Sequence, residues 1–493
     1  MRVALVNPPP RQRVDEFDTP DFGRLGLACL AAMLRDEPGV QVTVIDARLE
    51  RLGFAEVDAR LRALAPDLLG LTAFTNELRS AARVARAFKR AAPRAVTVLG
   101  GPHVSALPEE TLDDFPEFDL GVVGEGEHTL LALVRHLEAR APLHDVPGLV
   151  LRAPERPRRT PPRDAEPDLD RFPRPAWELM PRSPRALLMT QRGCPFACNF
   201  CQNPGGRAVR QHSVARVVDD ITWLIEARGV ERILVCDEIF TVDAPRTEAL
   251  LDAMIRADIG RRVRWWAQTH VNTVSRRIFE KMRAAGCYRV GLGIETGDGD
   301  TMRAMRKGIS PARVLAAREM AREAGLPVEG LFILGHPNET RESALRTIDF
   351  AAALNPEVPI LGTMVPYPGT EVAAMAARGE GGYRLLSRDW DDYVKQIGHA
   401  LAFEHLSRRE LEALQLYGYV KVFAANGRWS DLARFAWTYR AEGAAVVRKI
   451  LSGAMPRPAE PAPVEPPFTR TPMYFETAPD PAAPRRITLP RAR

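Results

Sequence analysis

Short apolar runs alternate with amphipathic stretches along the first 145 residues of the chain. The stretches at 56–64 and 78–91 repeat their apolar positions with helical spacing, whereas the short runs are continuously apolar, as in strands buried on both faces. Strands that alternate with helices predict an open, doubly wound α/β sheet, so we expect a Rossmann-like domain over 1–145. The runs that predict its five parallel strands are 3–6, 42–45, 68–71, 96–99 and 120–123.

Segments rich in proline, glycine or polar residues follow four of these strands. Ligands of such sheets bind beyond the carboxyl ends of the strands, and glycines there let a ligand approach the backbone closely. Tight connections between a strand and a helix favour the same residue types, so the residues alone leave both interpretations open. The segments are 8–10, 72–75, 100–103 and 124–127.

A segment rich in proline and arginine at 146–185 predicts a linker, and a second α/β domain is expected over 186–400. Six apolar runs in this second domain are separated by helical stretches, which predicts a (β/α)6 partial barrel. The working face of such a barrel lies at the carboxyl ends of its strands. The predicted strands are 186–190, 232–236, 263–268, 288–294, 328–334 and 360–365.

Two further regions complete the chain. Ser407 and Glu410 have capping-box spacing, Asn426 and Gly427 predict the end of that helix, and another helix is expected from about 430 to 450. We therefore expect a small helical region over 401–454. The segment 455–493 is rich in proline and shows almost no apolar periodicity, so we expect it to be disordered.

Composition and charge exclude some classes of function. The net charge is +5 in 493 residues, and the arginines of 152–174 lie among prolines rather than aromatic residues, which argues against nucleic-acid binding. No apolar run approaches the roughly 20 residues of a transmembrane helix. Pro8, Pro9 and Pro10 interrupt any signal sequence. We expect a cytoplasmic protein with no transmembrane segment.

Three of the six cysteines form a C-x-x-x-C-x-x-C triplet directly after the first predicted barrel strand: Cys194, Cys198 and Cys201. Structural zinc sites close with four ligands, and ferredoxin clusters take four cysteines. Three thiolates on one short loop therefore predict an iron–sulfur cluster with one open position, which requires a reducing compartment. The other cysteines lie in apolar contexts and are expected to be buried small side chains: Cys29, Cys236 and Cys287.

The triplet, with an aromatic residue before its last cysteine, resembles the radical S-adenosylmethionine (SAM) superfamily over nearly all of the predicted barrel. The resemblance implies that the three cysteines bind three irons of a [4Fe-4S] cluster, while SAM chelates the fourth. It also implies that Phe200 and Gly335 lie at the adenine and that Glu295 accepts from the ribose hydroxyls. Asp237 or Glu238 would lie near the methionyl amine, with capping of the following helix as the alternative.

The glycine-rich segments of the first domain resemble the cobalamin (B12)-binding domain that precedes the barrel in class B radical SAM enzymes. No D-x-H-x-x-G motif is present, so we expect base-off cobalamin with no protein histidine beneath the cobalt, His103 being the only weak candidate. The residues that the resemblance assigns to cobalamin binding are Pro9, Thr72, Gly100, Gly101, Pro102, His103, Gly124, Glu125 and Gly126.

Together the two resemblances imply a C-methyltransferase that acts on an unactivated carbon through a 5′-deoxyadenosyl radical and methylcobalamin. A cobalamin-dependent cyclase without net methyl transfer, similar to the anaerobic magnesium-protoporphyrin ester cyclase, is the alternative. The intact triplet argues against a third hypothesis, a catalytically silent cobalamin-binding protein. A methylthiotransferase is not favoured, because Cys29 is the only cysteine of the first domain. The expected partners are a small-molecule, lipid or tetrapyrrole substrate and a one-electron reductant such as flavodoxin or ferredoxin.

Overall fold

The computed structural model describes residues 1–10, 22–395, 400–438 and 440. The expected disorder of 455–493 and the end of the last predicted helix lie outside the described residues. Within the described ranges, no helix combines the length and the apolar character needed to cross a membrane.

The apolar runs of the first domain form a parallel sheet with helices on both faces. Its elements are β1 (Arg2–Asn7), α1 (Leu25–Leu34), β2 (Gln41–Asp46), α2 (Phe54–Leu64), β3 (Leu68–Thr72), α3 (Leu78–Ala91), β4 (Val96–Gly100), α4 (Pro102–Ala106), α5 (Pro108–Asp114), β5 (Leu120–Val122) and α6 (Glu127–Ala139). The order β2-β1-β3-β4-β5 and the parallel pairing confirm the predicted doubly wound sheet. The side chains of Leu5 and Leu69 are fully buried, because helices cover both faces of the sheet.

The segment predicted as a linker begins with two strands of this first sheet, which corrects the prediction for its first part. Val150 pairs with Gly121 in antiparallel register, and the Thr160 N–H donates to the Leu149 carbonyl at 2.9 Å. Leu149 and Val150 are fully buried, so they extend the core. The apolar run at 149–151 is too short to predict a strand from the sequence, because prolines and arginines surround it. The strands are β6 (Leu149–Leu151) and β7 (Arg158–Arg159).

The second domain contains a sheet of six parallel strands. Its elements are β8 (Arg185–Leu188), β9 (Gln191–Arg192), β10 (Arg210–Gln211), α7 (Val214–Arg228), β11 (Arg232–Val235), α8 (Ala244–Arg256), α9 (Ile259–Arg262), β12 (Arg264–Thr269), α10 (Arg276–Ala284), β13 (Cys287–Glu295), α11 (Gly299–Ala304), α12 (Pro311–Glu323), β14 (Val328–Leu334), α13 (Arg341–Leu354), β15 (Val358–Thr363) and α14 (Glu371–Arg378). The order β8-β11-β12-β13-β14-β15 confirms the predicted (β/α)6 partial barrel.

Aromatic and backbone contacts of the linker segment connect the two domains. Trp177 stacks on Trp223 of α7 with ring centroids 6.0 Å apart. The Ala176 N–H next to it donates to the Ala28 carbonyl of α1 at 2.9 Å. The second half of the predicted linker is therefore packed against both domains.

The last described elements pack on the barrel. They are β16 (Tyr383–Leu385), β17 (Leu401–Phe403), α15 (Arg408–Ala425) and α16 (Trp429–Thr438). The predicted capping box starts α15, because the Ser407 hydroxyl accepts from the Glu410 N–H at 3.2 Å and the Glu410 carboxylate accepts from the Ser407 N–H at 2.9 Å. Tyr419 of α15 accepts from the Leu361 N–H of β15 at 3.1 Å, so this helix covers the edge of the barrel sheet.

Candidate active site

One cavity of about 1440 Å³ lies between the carboxyl ends of the two sheets. Thr72, Gly101 and Gly124 line it from the first domain. Cys198 and Cys201 line it from the second domain. Candidate residues from both halves of the chain therefore face one shared space.

The cysteine loop, residues 193–209, is closed at its base by the antiparallel pair β9–β10. Gly193 follows β9 with a φ of 98°, and a Cβ atom there would lie 2.1 Å from the Ala208 carbonyl oxygen. Only glycine fits at this position. The Cys194 N–H donates to the Gly206 carbonyl at 2.9 Å and closes the next turn. Contacts within the protein thus set the shape of the loop.

The three cysteines of this loop are free thiols. In the part of the chain that the structure describes, no three His, Cys, Asp or Glu side chains converge on one metal-ion position. A [4Fe-4S] cluster does not need such convergence, because each thiolate binds a different iron. Burial raises the pKa of Cys198 to about 12, against the opposing effect of the Lys307 ammonium, so a bound metal is needed to keep a thiolate here. The donor set fits a cluster and not a single zinc ion.

The two acidic candidates after β11 have different roles. Asp237 is buried and accepts from the Thr190 hydroxyl and the Thr190 N–H, both at 2.6 Å, and from the Gln191 N–H at 3.2 Å. Burial raises its pKa to about 6, although the bonds from Thr190 act in the opposite direction. Glu238 lines the cavity and accepts from the Gly193 N–H at 3.2 Å. Asp237 therefore braces the start of the cysteine loop, and Glu238 is the acidic group that faces the cavity.

Glu295, at the end of β13, pairs with a lysine that sequence analysis missed. The Lys307 ammonium donates to the Glu295 carboxylate, and both side chains are at most 10% exposed. Lys307 interacts electrostatically with all three cysteines of the loop, so a fixed positive charge lies close to the candidate cluster position. No motif surrounds Lys307 in the sequence, and only the fold brings it to this place.

His270, at the end of β12, supports both the cysteine loop and Lys307. Its ring stacks on Phe196 of the loop with centroids 3.8 Å apart and planes 9° apart. Its Nδ1 accepts from the Asn272 N–H at 3.2 Å, so its Nε2–H donates to the Lys307 carbonyl at 3.1 Å. Burial, followed by repulsion from Lys307, lowers the pKa of His270 to about 3, and the ring is neutral.

The two residues assigned to the adenine lie behind the cavity wall. Gly335, after β14, has its carbonyl bonded to the Tyr383 hydroxyl at 2.8 Å, and its N–H donates to the Glu339 carboxylate. Phe200 contacts His336 edge-on with ring centroids 6.3 Å apart. The turn after β14, the fifth strand of the barrel, thus lies next to Phe200 of the cysteine loop.

The residues assigned to cobalamin divide into two sets. Gly101 has a φ of 105°, and a Cβ atom there would lie 2.7 Å from the Ala73 carbonyl oxygen. Only glycine fits at this position, so the cavity wall consists of backbone atoms here. Those that line the cavity are Thr72, Gly101, Pro102, Gly124 and Glu125. Those that do not line it are Pro9, Gly100, His103 and Gly126, and Pro10 lies on the wall instead of Pro9.

His103 points into the core rather than into the cavity. It is 1% exposed, its Nδ1 lies 3.2 Å from the Thr75 hydroxyl, and its ring meets Trp390 edge-on at 4.7 Å. This placement keeps the His103 ring out of the cavity, while the lower ligand of the cobalt stays a prediction. It also corrects the inclusion of His103 among the cobalamin-binding residues, because the packing of α4 turns the ring away from the wall.

The burial of His103 predicts a pH dependence of stability. Burial lowers the pKa of His103 to about 3, below the ordinary value of 6.5. The unfolded chain binds the extra proton between these values, so the stabilisation is present above pH 6.5 and is lost as the pH falls. Between pH 7 and pH 5 the parent should lose about 2 kcal/mol more unfolding free energy than a His103→Gln variant. Urea unfolding measures both, and equal losses would contradict a neutral buried histidine.

Comparisons with known proteins agree with this geometry. The family model of the radical SAM superfamily matches residues 188–351, and that of the B12 binding domain matches 18–134. An uncharacterized methyltransferase of Pyrococcus horikoshii is 32% identical over 433 residues, which cover 86% of this chain and 92% of the relative. The anaerobic magnesium-protoporphyrin IX monomethyl ester cyclase of Rubrivivax gelatinosus is 29% identical over 362 residues, which cover 70% of this chain and 65% of the cyclase.

A solved structure has the same fold over most of the chain. It is the radical SAM methyltransferase TsrM from Kitasatospora setae, with cobalamin and a [4Fe-4S] cluster bound. The TM-score is 0.68 at 20% identity, with 86% of this chain and 88% of TsrM covered.

The fold and the shared cavity define a radical SAM enzyme with an N-terminal B12-binding domain. The chain belongs to this cobalamin-dependent radical SAM family, which includes methyltransferases and cyclases. Its cofactors are a [4Fe-4S] cluster, SAM and cobalamin, and its substrate is a small molecule.

Proposed function

We propose that this chain transfers a methyl group to an unactivated carbon of a small molecule, such as a lipid or a tetrapyrrole. The observation that carries the proposal is the single cavity of about 1440 Å³ that joins the cysteine loop to the carboxyl ends of β3, β4 and β5. When bound, the cluster with SAM supplies hydrogen abstraction by a radical, and cobalamin supplies a methyl group. Both chemistries can reach one substrate only if they share one space.

The described residues fit distinct tasks in this reaction. We assign the cluster to Cys194, Cys198 and Cys201. Glu238 offers an acceptor for the amine of SAM, since it faces the cavity beside the loop. Glu295, held by Lys307, is the acceptor for ribose hydroxyls.

The wall of the first domain supports cobalamin at its exposed turns. Thr72 is the last residue of β3, and Gly101 with Pro102 follows β4. Gly124 and Glu125 follow β5. These turns offer backbone groups and small side chains, which suits a large flat ligand that must approach the sheet edge closely. A flavodoxin- or ferredoxin-like protein is the proposed source of single electrons.

SAM labelled in its methyl group tests the proposal. The anaerobically reconstituted holoenzyme, with cobalamin and a reductant, is incubated with an organic extract of the source cells. We expect a labelled product together with S-adenosylhomocysteine and 5′-deoxyadenosine, and none of the three from a Cys198→Ala variant.

The similarity to a cyclase defines one alternative to methyl transfer, namely ring formation. A cyclase would form 5′-deoxyadenosine and consume its substrate without incorporating label. A modified product that carries no label would therefore overturn methyl transfer and favour ring formation.

A further inference from the structure

Two arginines face each other at the base of the cysteine loop. Arg192 of β9 and Arg210 of β10 are direct partners in the antiparallel register. Like charges directly opposite each other on paired strands are unfavourable. The side chains are 13% and 10% exposed, so solvent screens this repulsion only weakly. The base of the loop therefore needs a negative charge from elsewhere to stay closed.

Glu125 of the first domain supplies that charge to both arginines. Its Oε2 lies 3.1 Å from Nη1 of Arg210 and 3.2 Å from Nη1 of Arg192. Its Oε1 accepts from Nη2 of Arg210. One carboxylate thus bridges the two strands that close the cysteine loop.

Neighbouring groups complete the bridge. Nη2 of Arg192 lies 2.5 Å from the carboxylate of Glu127, the first residue of α6. Nη1 of Arg210 donates to the Glu166 carbonyl at 2.9 Å, and the Arg192 guanidinium lies 5.1 Å from the centre of the Phe172 ring. Burial by itself would raise the pKa of Glu125, but the bonds from Arg210 and Arg192 lower it, so the bridge is ionised.

Glu125 also belongs to the turn that the first domain presents to the cavity. Gly124 and Glu125 line the cavity, and the Gly124 N–H is held by the Ser105 hydroxyl at 3.0 Å. A ligand bound against this turn would hold the backbone that carries Glu125, and with it the carboxylate in its bridging position. If Glu125 leaves this position, Arg192 keeps its pair with Glu127, but Arg210 loses its carboxylate partner among the described residues, and an unpaired buried charge is costly.

We propose that Glu125 is a positioning residue that couples occupancy of the cobalamin turn 124–126 to the closure of the cysteine loop. Cobalamin in place favours the bridged, closed loop, which is the form competent to hold SAM. The reciprocal effect follows from linkage, because SAM must then favour cobalamin by the same factor. This coupling does not depend on methyl transfer, since it acts before any product forms.

Equilibrium dialysis of the full-length enzyme, loaded with the oxidised cluster and free of cobalamin at the start, tests the coupling, because SAM binds there without reductive cleavage. The dissociation constant of SAM is measured with and without hydroxocobalamin, and that of hydroxocobalamin with and without SAM. We expect each ligand to tighten the other by the same factor, between about 5-fold and 150-fold. Glu125→Gln and Arg210→Lys should bring the factor to within about 2-fold of unity.

Arg210→Lys keeps the positive charge, so it remains informative if Glu125→Gln folds poorly. Glu37→Gln is the matched control, because it breaks a bidentate carboxylate pair with Arg135 of α6 on the same domain. The control should keep the full factor. A parent enzyme without coupling, or variants that keep the parent's factor, would overturn the proposal. So would a Glu125→Gln loss of cobalamin affinity without SAM that Arg210→Lys does not share, since it would make Glu125 a direct cobalamin ligand.

Discussion

A Cys198→Ala variant is expected to lose its iron–sulfur cluster and more than about 100-fold of its rate of SAM cleavage. Cys198 lies on the cavity wall, in the loop whose three thiols form the whole of the candidate donor set. With two thiolates left, the cluster lacks a ligand on one more iron and is exposed to the cavity. Anaerobic reconstitution should give about four iron and four sulfide per parent chain, and far less in the variant.

Cys287→Ala is the matched control for this variant. Cys287 is fully buried at the start of β13, where its thiol donates to the Arg289 carbonyl at 3.1 Å. Its loss should lower stability slightly and leave iron content and 5′-deoxyadenosine formation unchanged. Full cluster content in Cys198→Ala would remove the basis for assigning the triplet to the cluster.

Gly193→Ala is expected to damage the same site without touching a thiol. The new methyl group would lie 2.1 Å from the Ala208 carbonyl oxygen, at a φ of 98° that side chains rarely adopt. The loop must open to relieve this contact, at a cost of about 2–4 kcal/mol in unfolding free energy. Urea unfolding, with iron content after reconstitution, measures both effects, and the variant should bind little iron.

Gly206→Ala separates steric exclusion from backbone strain. Gly206 belongs to the same loop and also has a positive φ, 76°, but its Cβ position is open. The cost there should be only about 1 kcal/mol, and the cluster should be retained. Equal effects of the two substitutions would show that closure of the loop at Gly193 does not matter for cluster binding.

Much of the fold is predictable from this chain because buried parallel strands are continuous apolar runs. The predicted strand at 328–334 coincides with β14, and the predicted helix at 78–91 coincides with α3. Periodicity fails for β6 and β7, because strands of three and two residues carry too little pattern to be recognised among prolines and arginines. These strands become visible only through the pairing of β6 with β5 and of β7 with β6.

Some residues of the candidate site are likewise predictable from the sequence, and others are placed only by the fold. The cysteine spacing is local in sequence, so it identifies the loop directly. Lys307 carries no local pattern, and its contact with Glu295 depends on how α11 returns to the end of β13. Asp237 and Glu238 are adjacent in sequence, and only the packing decides that the first braces Thr190 while the second faces the cavity. His103 is excluded from the cavity for the same reason.

The closure of the cysteine loop by β9 and β10 also bears on how the enzyme acquires and keeps its iron. Because strand pairing and the Gly193 contact order the loop, most of the entropy of arranging the thiols is lost during folding rather than during metal insertion. In the apoprotein the thiols of the loop are then already close to the arrangement that the cluster needs. We therefore expect that a cluster destroyed by oxygen is rebuilt in this loop without refolding of the protein.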